Sequence, residues 1–193
     1  MHSCIPEPFQ KLYSTNSLII HNLYATSNNF TSKPLSGYVE GELWLHKDAY
    51  ASFIKIERCA QSMGLSVVVW DAYRPFCATE EMVKWAISSD KAWLVEEGYI
   101  ARRSRHNGGV AIDLGLMKDG EYLDMGTKWD DFSDKSHIHN VSGVQLQNRM
   151  LLQGMMRSLG WVGYTKEWWH FELEDAARYP SYNISYVQEQ QEL

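Results

Sequence analysis

The chain is short of several things. It has three cysteines in 193 residues, Cys4, Cys59 and Cys77, an odd and scattered set without CxxC spacing. That excludes a disulfide framework and a thiolate zinc site, and leaves reduced thiols in the cytoplasm as the expected state. No run approaches the roughly 20 apolar residues of a membrane span. Met1 to Gln10 carries Glu7 and two prolines but no apolar stretch, so a signal peptide is not expected. Basic side chains are the minority, 18 against 24 acidic, and the net charge of −6 argues against a partner bound through phosphates. Repeats, low-complexity tracts and linkers are also missing, so the whole of 1–193 reads as a single domain.

What is present is an ordinary globular composition, 45% hydrophobic and 22% charged, with aromatics at 13% and eight tryptophans among them. Such aromatic content suits a dense core with a walled pocket. Residues 22–43, rich in Asn, Ser, Thr and Gly, read as loops with short strands. Asp48 to Met63 reads as a helix with Ala51, Ile54, Cys59 and Met63 on its apolar side, ended by Gly64. Leu65–Trp70 is a β-branched run and reads as a buried strand. A helix follows over Thr79 to Ser88 with Thr79 as N-cap. Val110 to Met117 is a second strand. Asp119-Gly120 turns it into a hairpin partner over Glu121 to Met125. Ser142 to Leu159 reads as the longest helix, with Val144, Leu151, Met155 and Leu159 as its stripe. Trp168 to Leu173 reads as a last strand. Helices and strands mix without βαβ regularity, so the class is α+β, with a central, mostly antiparallel sheet flanked by helices.

Three segments carry chemistry. In Ser104-Arg-His-Asn-Gly-Gly-Val-Ala-Ile-Asp113, His106 and Asp113 are seven apart. On one helix they would sit about 10.5 Å apart along the axis, too far for one ion. A glycine loop folding back into a strand can bring them together. Asp113 interrupts an apolar run, and a carboxylate in a buried strand is costly unless it is paired or bound to a cation. In Glu167-Trp-Trp-His170, a spacing of three would place the two polar groups on opposite faces of one straight strand. Glu167 therefore belongs in the preceding turn and His170 in the strand. Two imidazoles and one carboxylate suit Zn²⁺ and leave a coordination position for water, whose pKa zinc lowers to about 7. Glu167 is the candidate to accept that water's proton. The third segment is Asp71-Ala-Tyr-Arg-Pro75. His137 and His139 also resemble ligands by proximity, but Asn140 and their flanks argue for a solvated turn.

The SxHxxGxAxD pattern from Ser104 to Asp113, the ExWH pattern from Glu167 to His170 and the upstream Tyr73-Arg-Pro75 resemble the zinc D-alanyl-D-alanine dipeptidases. Tyr24 to Tyr38 resembles that family's N-terminal stretch. Met125 to Asp130, with Asp134 to His137 following, resembles its substrate loop. The resemblance implies one Zn²⁺ per chain on His106, Asp113 and His170, with Glu167 as general base and acid. It implies that Arg74 stabilises the oxyanion and that Asp130 holds the substrate ammonium. Ser104, Tyr24 and Tyr38 would line the pocket. A guanidinium with donors in a fixed fork suits the role given to Arg74. An anion at a set distance from the metal would select a free dipeptide over a longer chain.

Expected partners are a small dipeptide and, as a candidate assembly, a homodimer, with neither nucleic acid nor membrane. Only 29 residues lie between Arg74 and Ser104, fewer than in the family's resistance enzymes, which affects the cleft rim and oligomer contacts. Two other readings stay open. One is a D,D- or L,D-carboxypeptidase with the same metal chemistry, weakened by Asp130 and the expected lack of a signal peptide. The other is a non-catalytic recognition module of the hedgehog type, which the presence of both Glu167 and Arg74 opposes.

Overall fold

The computed structural model describes residues 5–187; Cys4 lies outside them. A small antiparallel pair joins β1 (Phe9–Lys11) to β3 (Trp44–His46). The main sheet runs in the order β2 (Leu18–Ile20), β4 (Ser66–Asp71), β5 (Ala111–Lys118), β8 (His170–Leu173), β7 (Trp161–Gly163). Only β2 and β4 pair in parallel; the other pairs are antiparallel. β5 is the axis of the sheet. One of its edges takes β4, and the other takes β8 at its start and β6 (Glu121–Tyr122) at its end. The fold is α+β, as the sequence predicts.

β5 is apolar on both faces because both are covered, and Ala111 to Leu116 are all buried. Gly115 makes room for a tryptophan: a Cβ there would come within 2.5 Å of the Trp70 ring. Two helices, α1 (Lys47–Ser62) and α4 (Gly143–Arg157), pack together, and Trp161 Nε1 donates to Ser52 Oγ at 3.0 Å. The others are α2 (Phe76–Ser88) and the short α3 (Trp93–Glu96). The buried side chains form one cluster from Phe9 to Tyr186. No helix among the described residues is long and apolar enough to cross a membrane.

Several details depart from the sequence expectations. The buried stripe of α1 is Ala49, Phe53, Ile56 and Ala60, not the face of Ala51 and Met63, because Phe53 directs the helix into the core. On α4 it is Arg149, Leu152, Met155 and Met156, leaving Val144 and Leu151 exposed. Thr79 does not cap α2. The helix starts three residues earlier at Phe76, after Pro75, and the Thr79 hydroxyl accepts from Asn107 Nδ2 at 2.9 Å. The hairpin strand stops at Tyr122, since the Asp124 carboxylate accepts from Gly126 N–H at 2.8 Å and turns the chain away. Residues 22–43 form loops and one 3-10 turn, Leu23–Ala25, without the short strands expected there.

Candidate functional site

The register of the sheet sets out the site. Asp71 on β4 stands opposite Asp113 on β5, and Asp113 stands opposite His170 on β8. Cross-strand partners project to the same face, so three strands deliver three polar side chains in one row. A register shift between Val69 and Asp71 brings Asp71 into line.

His106 reaches this row from a 3-10 turn, Arg105–Gly108, held at both ends. Ser104 Oγ accepts from His106 N–H at 3.2 Å, and Asn107 Oδ1 accepts from Ser104 N–H at 2.9 Å. Gly109 closes the turn at φ +67°, where a Cβ would lie 2.7 Å from the Phe9 ring and 2.9 Å from His46 N. Asn107 Nδ2 donates to Arg74 O at 2.9 Å, locking the turn to the arginine segment. Asn107 is a functional support that sequence reading passed over, because nothing local separates it from a surface asparagine.

The donor atoms converge. His170 Nδ1 lies 3.0 Å from Asp113 Oδ1, His106 Nε2 lies 3.3 Å from the same oxygen, and the two nitrogens are 3.1 Å apart. An ion with tetrahedral bonds of about 2.0–2.1 Å separates its ligand atoms by about 3.3 Å, so this triangle has the size of one face of a zinc site. His106 Nδ1–H donates to Ala72 O at 2.7 Å, which leaves the Nε2 lone pair facing the triangle. Burial alone would depress the His106 pKa, but Asp113 and Asp71 hold it above the ordinary imidazole value. Burial would raise Asp113; His106 and His170 instead hold it far below the usual carboxylate range. His137 and His139 stand apart: His139 is exposed, and His137 Nε2 meets the Tyr99 hydroxyl at 2.8 Å.

The triangle lines a cleft of about 540 Å³, together with Tyr24, Arg74, Ser104, Asp130 and Glu167. Glu167 follows the turn at Tyr164, before the strand as the sequence predicts, while the strand itself opens at His170, two residues later than the Trp168 start expected. The residue is 7% exposed, with its carboxylate at the cleft, and takes no hydrogen bond there from another described side chain. Burial, then the charges of Asp113 and Asp130, push its pKa well above the usual carboxylate value. Asp130, at φ +58°, accepts from the Tyr24 hydroxyl at 2.9 Å; burial and Asp113 push its pKa up as well.

Arg74 is clamped by Asp71 through Nε at 2.9 Å and Nη2 at 2.8 Å, and lies over the Tyr24 ring. Burial works against the guanidinium's charge, but Asp71 and the two tyrosines hold its pKa above the ordinary value. Asp71 is the second support that sequence reading left without a role, although its place at the end of an apolar strand was a signal of the same kind as that of Asp113. Tyr38 does not line the cleft. Its hydroxyl donates to Asp71 Oδ1 at 2.7 Å, behind the arginine.

Four buried or half-buried carboxylates, Asp71, Asp113, Asp130 and Glu167, thus face one guanidinium around the two imidazoles. That imbalance fits a divalent cation on the triangle, which would offset what burial costs the anions. Buried donors at ligand spacing beside a partnerless carboxylate are the equipment of a metallopeptidase, and this is the class that fold and cleft define.

Comparison with known proteins agrees. The Peptidase M15 model, described as D-ala-D-ala dipeptidase, matches residues 15–192. A D-alanyl-D-alanine dipeptidase of Escherichia coli (strain K12) is 39% identical over 160 residues, covering 81% of this chain and 79% of that protein. One of Enterococcus faecium is 33% identical over 170 residues, covering 79% and 84%. The solved LdcB LD-carboxypeptidase has a similar fold at 15% identity, with TM-score 0.50 over 69% of this chain and 62% of that one. The chain belongs to the Peptidase M15 family.

Proposed function

We propose that the chain hydrolyses D-alanyl-D-alanine to two D-alanines with one zinc ion held by His106, Asp113 and His170. The observation that carries this is the triangle of donor atoms, with edges of 3.0 to 3.3 Å, beside the partnerless carboxylate of Glu167. The names of the two relatives supply the substrate. Zinc bound there supplies a Lewis acid to the peptide carbonyl and lowers the pKa of water to about 7.

The chain's own groups do the rest. Glu167 takes the proton from the attacking water and returns it to the departing amine as the C–N bond breaks. A carboxylate with a raised pKa can serve both duties near neutral pH. Arg74, clamped by Asp71, keeps its charge and aims donors at the oxygen where negative charge develops. Asp130, held by Tyr24, accepts the substrate's free ammonium. Ser104 lines the cleft while capping the His106 turn. A substrate without the ammonium would leave the half-buried Asp130 with the Tyr24 hydroxyl but no cation, which disfavours longer peptides.

The test is release of D-alanine from D-Ala-D-Ala with and without a chelator, beside L-Ala-L-Ala and a pentapeptide stem. The expected result is chelator-sensitive cleavage of the free D,D-dipeptide alone. Cleavage of the stem with the dipeptide ignored would transfer the chain to the carboxypeptidases. No cleavage by a zinc-loaded sample would leave a binding module.

A further inference from the structure

Arg149 is an arginine that the chemistry above does not use. It projects from α4 into the interior and is fully buried, at 0% exposure. No carboxylate within salt-bridge distance partners it among the described residues. It meets backbone carbonyls instead: Nε donates to Met125 O at 2.7 Å, Nη2 to Lys135 O at 2.8 Å, and Nη1 to His137 O at 2.6 Å and Ile138 O at 3.5 Å. Its guanidinium lies 6.0 Å from the centre of the Trp168 ring. Burial lowers its pKa to about 10, so it remains cationic at neutral pH.

A buried cation in contact with no carboxylate, Asp124 favouring its charge only from beyond salt-bridge distance, costs stability relative to an apolar residue of the same volume. What this one does with its fork is tie Met125, before a loop, to Lys135, His137 and Ile138, after it. Trp129 and Asp130 lie between those stems. The loop is braced from β8's approach too, where Trp168 Nε1 donates to Thr127 Oγ1 at 2.9 Å and Trp168 N–H to Ser136 O at 3.1 Å. Asp130 itself has the left-handed backbone that side-chain-bearing residues rarely adopt, so its place is imposed by its surroundings.

We propose that Arg149 is a positioning residue for substrate recognition: it clamps both stems of the 125–138 loop and so fixes where Asp130 meets the ammonium of the dipeptide. This rests on the dipeptidase reading for its kinetic consequence and on geometry alone for the clamp. A lysine offers a point charge and cannot span four carbonyls on two stems. Displacing a binding group by about 1 Å can cost up to about 100-fold.

The test uses the zinc-loaded full chain with Arg149→Lys, and Arg149→Met should the first not fold. The control is Leu152→Ala, one helical turn on, a buried apolar position whose truncation destabilises the same helix without removing any hydrogen bond to the loop carbonyls. Rates are measured well below each variant's Tm on D-Ala-D-Ala and on N-acetyl-D-Ala-D-Ala. Arg149→Lys is expected to raise KM for the free dipeptide about 10-fold with kcat within about 3-fold, and to shrink the preference for the free amine in proportion. Leu152→Ala should leave both KM and preference unchanged. Wild-type KM and preference in both Arg149 variants would overturn the proposal. Amide exchange of residues 126–134 is read in parallel and needs no turnover. It is expected to quicken about 10-fold in Arg149→Lys while β5 stays protected. If the wild type cleaves no D-Ala-D-Ala, the functional reading fails and the exchange result alone decides the clamp.

Discussion

Glu167→Gln should make the protein more stable and all but inactive, and the stability gain should carry a pH signature. The residue is 7% exposed, and its carboxylate receives no hydrogen bond from a described side chain and faces the charges of Asp113 and Asp130. Its pKa in the folded chain is therefore above that of the unfolded chain, near 4.3. Below that value both states are protonated and the site costs nothing. As pH rises, the unfolded chain ionises first, the folded chain holds its proton longer, and stability falls until the folded group ionises as well. A buried charged group left without partners costs about 1–3 kcal/mol or more, and a neutral amide costs less. For a chain of this length each kcal/mol moves Tm by about 2–4 °C. In metal-free protein at pH 8, Glu167→Gln should melt about 2–10 °C above wild type, and the gap should close towards pH 4. The zinc-loaded variant should keep its metal and lose about 100-fold or more in kcat. Calorimetry across pH and single-turnover kinetics read the two effects separately. Equal melting at every pH would refute the burial argument, and near-normal kcat would refute the role.

Asp113→Asn should abolish tight zinc binding, since it removes the charge that both imidazoles face at 3.0 and 3.3 Å; metal analysis after dialysis checks it. Arg74→Lys loses the two-point contact to Asp71 and should cut kcat about 100-fold at unchanged zinc content; unchanged turnover would remove Arg74 from the chemistry. Gly109→Ala combines a left-handed backbone with a 2.7 Å approach to Phe9. It should lower stability by about 2–4 kcal/mol in urea melts, and a loss under 1 kcal/mol would contradict the packing described.

The candidate triangle is legible in the sequence for one physical reason, that polar groups in apolar surroundings need a partner, whereas Arg74, Asp130, Ser104 and Tyr24 take their roles only from the family resemblance. Asp113 inside Val-Ala-Ile-Asp-Leu, and His170 inside an aromatic run, break the hydrophobic pattern of strands that the sheet then places side by side. The glycines after His106 signalled the bend that returns it to the row. Asn107 and Arg149 were hidden because their partners are backbone carbonyls and a hydroxyl far along the chain, which no local spacing encodes. The resemblance implies Tyr38 in the cleft wall, whereas its hydroxyl supports Asp71 from behind, a distinction that motif spacing does not encode. The helices were located but their buried faces were turned. Small and long side chains in α1 and α4 allow more than one stripe, and packing against the strands, α1 on β3 and β4 and α4 on β7, selects one.

The row from Asp71 through Asp113 to His170 ties catalysis to strand alignment. Because alternate side chains point to opposite faces, sliding β5 by a single residue would turn Asp113 away and put Ile112 or Leu114 in its place. A molecule assembled with that offset could retain most of its greasy interior and still grip no ion. Metal uptake during refolding would therefore serve as an inspection stamp, passing only chains whose central strands had zipped up in the proper alignment.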